Sequence, residues 1–151
     1  MIIRNIKNNE MNKLLNLYTH LHRKDAPLPA KPKLESIWKD ITTNPLLHYF
    51  VVEYDKKIVS SCTLSIIPNL TRGGRPYGLI ENVVTHTEYR RRGFGTSILQ
   101  FALETAWKNK CYKVMLFTGS KDPSIHHFYE KVGFKKGIKT GFVAKAFDFY
   151  Y

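Results

Sequence analysis

The sequence predicts one α/β domain, a mixed, mostly antiparallel sheet flanked by helices, and three patterns carry that prediction. Residues 58–67 alternate Ile58, Ser60, Cys62, Leu64 and Ile66 against Val59, Ser61, Thr63 and Ser65, the period-2 signature of a sheet strand. Met11, Leu14, Leu15, Tyr18 and Leu21 recur at helical spacing, as do Ile98, Leu99, Ala102, Leu103, Ala106 and Trp107. Between a β-type run at 79–85 and that second helical stripe stands a basic turn, Arg90-Arg91-Arg92-Gly93-Phe94-Gly95. The 151 residues are 43% hydrophobic and 24% charged, ordinary for one globular unit, so 1–151 is expected to be a single domain.

Taken in order, residues 2–6 read as the first strand, followed by a helix capped near Asn8 or Asn9 that carries the Met11 to Leu21 stripe. Prolines 27, 29 and 32 make residues 25–32 a loop. A second, short helix sets Leu34, Ile37, Trp38 and Ile41 on one face and stops at Asn44-Pro45. Residues 49–53 and 58–67 form a hairpin turned at Asp55-Lys56-Lys57, and Arg72-Gly73-Gly74-Arg75-Pro76 returns the chain to a third antiparallel strand bearing Glu81. The helix from about residue 95 to residue 110 crosses over to residues 113–118, a β-rich run expected parallel to the Glu81 strand. A last helix holds residues 126–131, Gly133 ends it in a left-handed conformation, and residues 142–149 are expected to close the sheet.

Composition excludes several function classes. No apolar run approaches the ~20 residues that span a bilayer, and Met1-Ile2-Ile3-Arg4 opens no signal-peptide core, so a cytoplasmic location without a membrane partner is expected. Cys62 and Cys111 sit in strand-like runs without metal-ligand spacing and read as buried, reduced thiols. His126 and His127 are adjacent and a helix turns them about 100° apart, too far to chelate one ion, while His20, His22, His48 and His86 show no ligand spacing, so no metal is expected. The net charge of +12 attracts polyanions. The lysines are scattered rather than massed, which favours a solvated surface over a nucleic-acid face and leaves nucleic acid a secondary partner.

The basic turn is built to meet an anion. Gly93 and Gly95 let the backbone bend and approach a ligand, and the first N–H groups of the following helix point outward at its positive end. Thr96-Ser97 after Gly95 rules out the Walker A loop, and Ile98 stands where a dinucleotide fingerprint needs its third glycine. The fitting guest is another pyrophosphate.

Arg90-x-x-Gly93-x-Gly95, together with Ile80-Glu81-Asn82-Val83-Val84-Thr85 before it and Phe128-Tyr129-Glu130-Lys131-Val132-Gly133-Phe134 after it, resembles the Gcn5-related N-acetyltransferase (GNAT) family from about residue 51 to residue 134. Outside that span the likeness is one of element order alone, with residues 25–32 and their flanking helices in the position of the family's substrate-side lid. The resemblance implies acetyl-coenzyme A as co-substrate, its pyrophosphate on the turn formed by Arg90, Arg91, Arg92, Gly93, Phe94, Gly95 and Thr96, and its pantetheine arm along the backbone of Val83 and Val84. It implies a primary amine as acceptor, attacked directly in a ternary complex, with small molecules favoured over protein or aminoacyl-RNA. Glu81 is the candidate base and Tyr129 the candidate acid for the departing thiol. Asp122 stands where relatives often carry an asparagine for the pantetheine arm. A catalytically silent coenzyme A-binding module is the reading from another class, and the presence of both Glu81 and Tyr129 argues against it. A homodimer, and whether the aromatic tail at 147–151 pairs with another subunit, stay open at this point.

Overall fold

The computed structural model describes residues 1–22 and 24–149. β1 (Ile2–Asn5) runs antiparallel to β2 (Leu47–Tyr54), β2 to β3 (Lys57–Ile67) and β3 to β4 (Tyr77–Thr85), whereas β5 (Val114–Leu116) lies parallel to β4. The five strands therefore stand in chain order across one sheet. The β2–β3 turn uses no glycine: Asp55 and Lys56 both adopt left-handed φ, 50° and 58°, the two-residue geometry whose twist suits a hairpin. Between β3 and β4 the chain makes one four-residue helical turn, α3 (Thr71–Gly74), with left-handed backbone at Arg72 and Gly73.

α4 (Phe94–Lys108) is the crossover that a parallel β4–β5 pair requires. It covers one face of the sheet, where the Phe101 ring meets Phe50 edge-on at 5.0 Å and Ile98 and Leu99 pack with Cys62, Leu64 and Ile80. By alternation Val51 turns to the opposite face, where α1 (Met11–Tyr18) buries Leu14 and Leu17. α2 (Lys31–Thr43) buries no residue fully; Leu34, Trp38 and Ile41 of its expected stripe are half-covered, Ile37 is exposed, and the Trp38 indole donates to Asn8 O at 2.7 Å. α5 (Pro123–Val132) packs on α4.

Four sequence expectations change. The first helix begins at Met11 after a 3-10 turn at Asn8–Glu10 and ends at Tyr18, so Leu21 lies beyond it. α4 starts one residue early, at Phe94, and Trp107 is 47% exposed rather than core. Residues 142–149 form no strand, and β5 is left as the sheet's edge. Tyr150 and Tyr151 of the aromatic tail lie outside the described residues. A strand needs a neighbouring edge as well as a β-favouring pattern, and residues 142–149 pair with no edge of their own sheet.

The sheet's first strand is fastened by charge. Arg4 donates to both Glu10 oxygens, at 2.8 and 2.9 Å, and to Glu53 Oε2 at 2.6 Å, while Lys7 N donates to Glu10 Oε2 at 2.9 Å. Glu10 is only 4% exposed, and the Arg4 guanidinium holds its carboxyl at about 2, well below the ordinary 4.5. A depressed carboxyl stabilises the fold above the unfolded value and loses that contribution as pH falls toward the folded one. Arg4→Ala should therefore cost about 2 kcal/mol in urea unfolding at pH 7, less than a fully buried pair because Arg4 keeps water contact. The gap from wild type should narrow steadily between pH 4.5 and pH 2.

Candidate active site

β4 continues to Thr85, yet it pairs with β5 only through Gly78↔Val114, Leu79↔Met115 and Ile80↔Leu116. Just past Ile80 the register against β3 slips as well. Thr63 faces Glu81 but Ser61 faces Val84, so β4 holds one residue more than β3 across that interval, and Asn82 takes a left-handed φ of 52°. This is a β-bulge, which bends its strand and raises the local twist. Strict alternation, which would set Glu81 and Asn82 on opposite faces, is interrupted at that residue. From β3, the Thr63 hydroxyl donates to Glu81 O at 2.9 Å and the Ser60 hydroxyl to Val84 O at 2.8 Å, and Ser60 Oγ also lies 2.9 Å from Thr85 Oγ1. On its β5 side the strand around Val83 and Val84 carries no ladder partner.

The basic turn follows a 3-10 turn at Thr87–Tyr89. Arg91 (φ 61°) and Gly93 (φ 84°) are left-handed, and Gly93 is the N-cap of α4. The first turn of the helix closes with Ser97 N donating to Gly93 O at 3.0 Å, so the N–H groups of Phe94, Gly95 and Thr96 precede it at the positive end of the helix. The side chains divide their work. Arg90 Nε donates to Thr85 O at 3.1 Å and its Nη2 to His20 O at 3.2 Å. The Arg92 guanidinium lies 4.9 Å from the Tyr54 ring centre, 5.3 Å from Tyr89 and 5.4 Å from Phe94, a cation held over three aromatic faces. Phe94 itself is a core side chain, 5% exposed, whose ring lies under the Arg92 guanidinium and whose N–H belongs to the turn. Arg91 is exposed.

The two glycines do different things. Around Gly93 an added Cβ would meet nothing within 4 Å, so glycine is needed there for its backbone angle. At Gly95 a Cβ would stand 3.2 Å from Phe128 Cζ and 3.5 Å from Thr85 Oγ1. Glycine at 95 lets the start of α4, the end of β4 and α5 touch at one point.

α5 delivers Tyr129. Asp122 caps the helix by accepting from Ser124 N at 2.8 Å, which lowers its own carboxyl pKa, and Pro123 occupies the first turn. Gly133 ends the helix at φ 117°, with Phe134 N donating to Tyr129 O at 3.2 Å. The Tyr129 ring is half-buried against the core, 4.9 Å from Phe128 and 6.4 Å from Phe134. Burial pushes its phenol pKa up, and the Glu81 carboxylate pushes it further, which sets Glu81 within electrostatic reach of the hydroxyl. Glu81 is exposed and joins none of the ion pairs among the described residues. His126 Nε2 lies 2.7 Å from Ser120 O and fixes the loop before the helix.

The remaining reactive residues sit apart. Cys62 and Cys111 are buried free thiols, and burial drives Cys62 up to about 12, out of nucleophilic range. Among the described residues no three or more His, Cys, Asp or Glu side chains gather where they could hold a metal, and no helix is long and apolar enough to cross a membrane. Sequence reasoning missed the bulge. Its one local signal is the asparagine itself, a residue that tolerates left-handed φ better than most and is out of place in a strand.

The five-stranded sheet flanked by helices, with α4 as its crossover, is the fold of solved acetyltransferases. The chain belongs to the Acetyltransferase (GNAT) family, whose sequence model matches residues 11–134. A putative acetyltransferase from Agrobacterium tumefaciens str. C58 superimposes with a TM-score of 0.90 at 40% identity, over 97% of this chain and 100% of that one. The structure of a Trypanosoma brucei acetyltransferase superimposes with a TM-score of 0.79 at 31% identity, over 95% of this chain and 99% of that one. A glucosamine 6-phosphate N-acetyltransferase of Trypanosoma brucei brucei is 42% identical over 79 residues, 52% of this chain and 52% of that protein. The chain thus spans about half the length of the first curated relatives it matches.

The crowding at Gly95 predicts a stability defect without any ligand. Gly95→Val should lose about 1–3 kcal/mol in urea unfolding, because branched bulk there must displace the Phe128 ring. Unchanged stability would show that Phe128 yields freely.

Proposed function

We propose that this chain is an acetyl-coenzyme A-dependent N-acetyltransferase that acetylates the primary amine of a small molecule by direct attack in a ternary complex. The observation that carries this reading is the parting of β4 from β5 after Ile80, beside the N-terminus of α4. The unpaired edge around Val83 and Val84 suits an extended, amide-bearing arm added as a strand. The N–H groups of Phe94, Gly95 and Thr96 suit a pyrophosphate at the positive end of the helix. Coenzyme A offers both groups, so the residues fit it. Arg90 and Arg92, engaged by carbonyls and aromatic rings, hold the turn in shape, and exposed Arg91 is the side chain left to face a phosphate.

Bound acetyl-coenzyme A would supply the acetyl group as an activated thioester. An N–H of Val83 or Val84 polarises a carbonyl seated along that edge. Glu81 takes the proton from the incoming ammonium group, whose ordinary pKa is about 10, directly or through one water. Tyr129 remains a neutral phenol throughout the neutral range because its pKa is raised. A phenol is already a weaker acid than a thiol, and the shift widens that gap. Its part is therefore a hydrogen bond that strengthens, and ends in proton donation, as charge builds on the leaving sulfur.

A phosphorylated amino sugar joins a primary amine to an anion, suits the +12 chain, and is the substrate in the name of the Trypanosoma brucei brucei relative; it stands first in the amine panel.

Thiol release over that panel tests the reading. Tyr129→Phe should fold and bind coenzyme A as wild type does while turnover falls on the order of 10²-fold. Glu81→Gln should lose most rate at low pH, where unprotonated amine is scarce, and recover toward pH 10. Wild-type turnover in both variants across the pH range, with chemistry rate-limiting, would sink the site assignment. Arg91→Ala touches no packed group, so its melting temperature should hold while coenzyme A binds about tenfold more weakly, the scale of one charge-assisted contact; equal affinity would remove Arg91 from the phosphate.

A further inference from the structure

The net charge of +12 is scattered along the sequence, yet the fold gathers part of it at one end of the sheet. Three connections meet there: α2 into β2, β3 into β4 through residues 68–76, and α4 into β5 through residues 109–113. They are fastened to their neighbours. Ile66 N donates to Leu46 O at 2.8 Å, Tyr112 N donates to Pro76 O at 2.9 Å, and the Arg75 guanidinium donates to Lys110 O at 3.0 Å and Cys111 O at 3.1 Å. Arg72, Arg75, Lys108, Lys110 and Lys113 stand at this end, while residues 41–52, 56–80 and 105–121, which supply it, hold no aspartate or glutamate. None of the five cations joins an ion pair among the described residues.

Apolar groups share the same end. Asn69 Nδ2 donates to Thr71 O at 3.0 Å and to Arg75 O at 3.2 Å, which closes residues 69–75 into a knuckle, and Leu70 on that knuckle is 97% exposed. Leu46, just before β2, is 40% exposed. Behind the knuckle the Tyr77 and Tyr112 rings lie 6.5 Å apart, and the Lys113 ammonium sits 5.3 Å from each ring centre. A cation already laid against both rings makes them poor platforms for stacked bases, and a nucleic-acid strand wants a groove that tracks its backbone rather than a protruding tip. An exposed leucine among cations, backed by amphipathic tyrosines, matches a surface that is anionic outside and apolar beneath.

We propose that this end of the sheet docks on an anionic lipid surface, with Leu70 entering at the headgroup boundary and the five cations facing the lipid phosphate and carboxylate groups. No helix among the described residues is long and apolar enough to cross a membrane, and docking on its surface needs none. Screening confines the attraction to charges within about 8 Å of the lipid at physiological salt, so the cations of this end count and those at the far end do not. β4 carries the chain from Tyr77 here to Thr85 beside the glycine turn, nine residues that span about 26 Å. The candidate active site therefore stays open to water in the docked molecule, and the docking stands whether or not the chain is an acetyltransferase.

Co-sedimentation of the full chain with phosphatidylcholine vesicles, with and without phosphatidylserine, tests the surface. The chain should pellet only with the phosphatidylserine vesicles, and its affinity should fall as salt rises. Arg72 and Lys110 hold left-handed φ, 56° and 62°, which asparagine tolerates. The double variant Arg72→Asn, Lys110→Asn should therefore keep its melting temperature while vesicle affinity drops about 25-fold, about fivefold for each cation removed. Leu70→Ser leaves the charge unchanged and should weaken vesicle binding about tenfold. Absence of binding to the phosphatidylserine vesicles, or wild-type affinity in the double variant, overturns the proposal. Poly(U) RNA bound more tightly than the vesicles, with Leu70→Ser altering neither affinity, would make this end a nucleic-acid face and overturn it as well. Saturating coenzyme A should leave vesicle binding untouched; competition would move the lipid contact to the Arg90 turn, and the docking assigned to this end would fail.

Discussion

Strand β4 must satisfy two neighbours that run in opposite directions, and the site follows from how it stops satisfying one of them. Its antiparallel ladder with β3 persists to Thr85, while its parallel ladder with β5 ends at Ile80. The bulge at Asn82 lies between those two limits, where added twist swings the second half of β4 from β5 without breaking its hold on β3. α4 starts from the end of that displaced half. Thr85 contacts both Arg90 and the Gly95 position, and Phe128 of α5 closes the same junction. Strand end, turn, helix start and the helix carrying Tyr129 are therefore positioned by one bend.

That bend is kept by hydroxyl groups. Ser60, Ser61 and Thr63 are all buried, at 0%, 0% and 4% exposure, and each donates to a carbonyl of an adjacent strand, at Val84, Phe50 and Glu81. A register slip disturbs the ladder, and a buried polar group left unsatisfied costs about 1–3 kcal/mol. Hydroxyl donors beside the slip relieve that cost. The Ser-Ser-Cys-Thr stretch of β3 is thus the partner of the irregularity in β4.

The same stretch shows where the sequence was legible. Its period-2 pattern located β3 correctly, but a water-facing polar side is what such alternation ordinarily means, and here α1 covers that face. The glycine turn, the β4–α4–β5 unit and the Gly133 cap could be read because each is local chemistry at fixed spacing. The bulge could not, since a single left-handed residue changes no periodicity. Nor could the packing role of Gly95, because Phe128 lies 33 positions away and only the fold brings it there. Residues 142–149 show the opposite failure: the β pattern was plain, yet the segment pairs with no edge of the five-stranded sheet.

Arg90 joins the glycine turn to the chain just past α1. Its guanidinium bridges Thr85 O and His20 O, the latter 70 positions away in sequence, and the His20 ring in turn lies against His86, tilted, at 4.0 Å between ring centres. Burial, then His86 and Arg90 themselves, lower the His20 pKa, so the imidazole resists a charge that would repel the guanidinium beside it. His20 lies just past α1, where the chain leaves for α2, so the Arg90 link ties the turn to the segment that enters residues 25–32. A lysine would keep the positive charge, but an ammonium on a flexible stem cannot present two donors in a fixed plane to carbonyls on separate elements. The first arginine of the glycine turn is therefore specified by geometry on its protein side, independently of the charge it shares with Arg91 and Arg92.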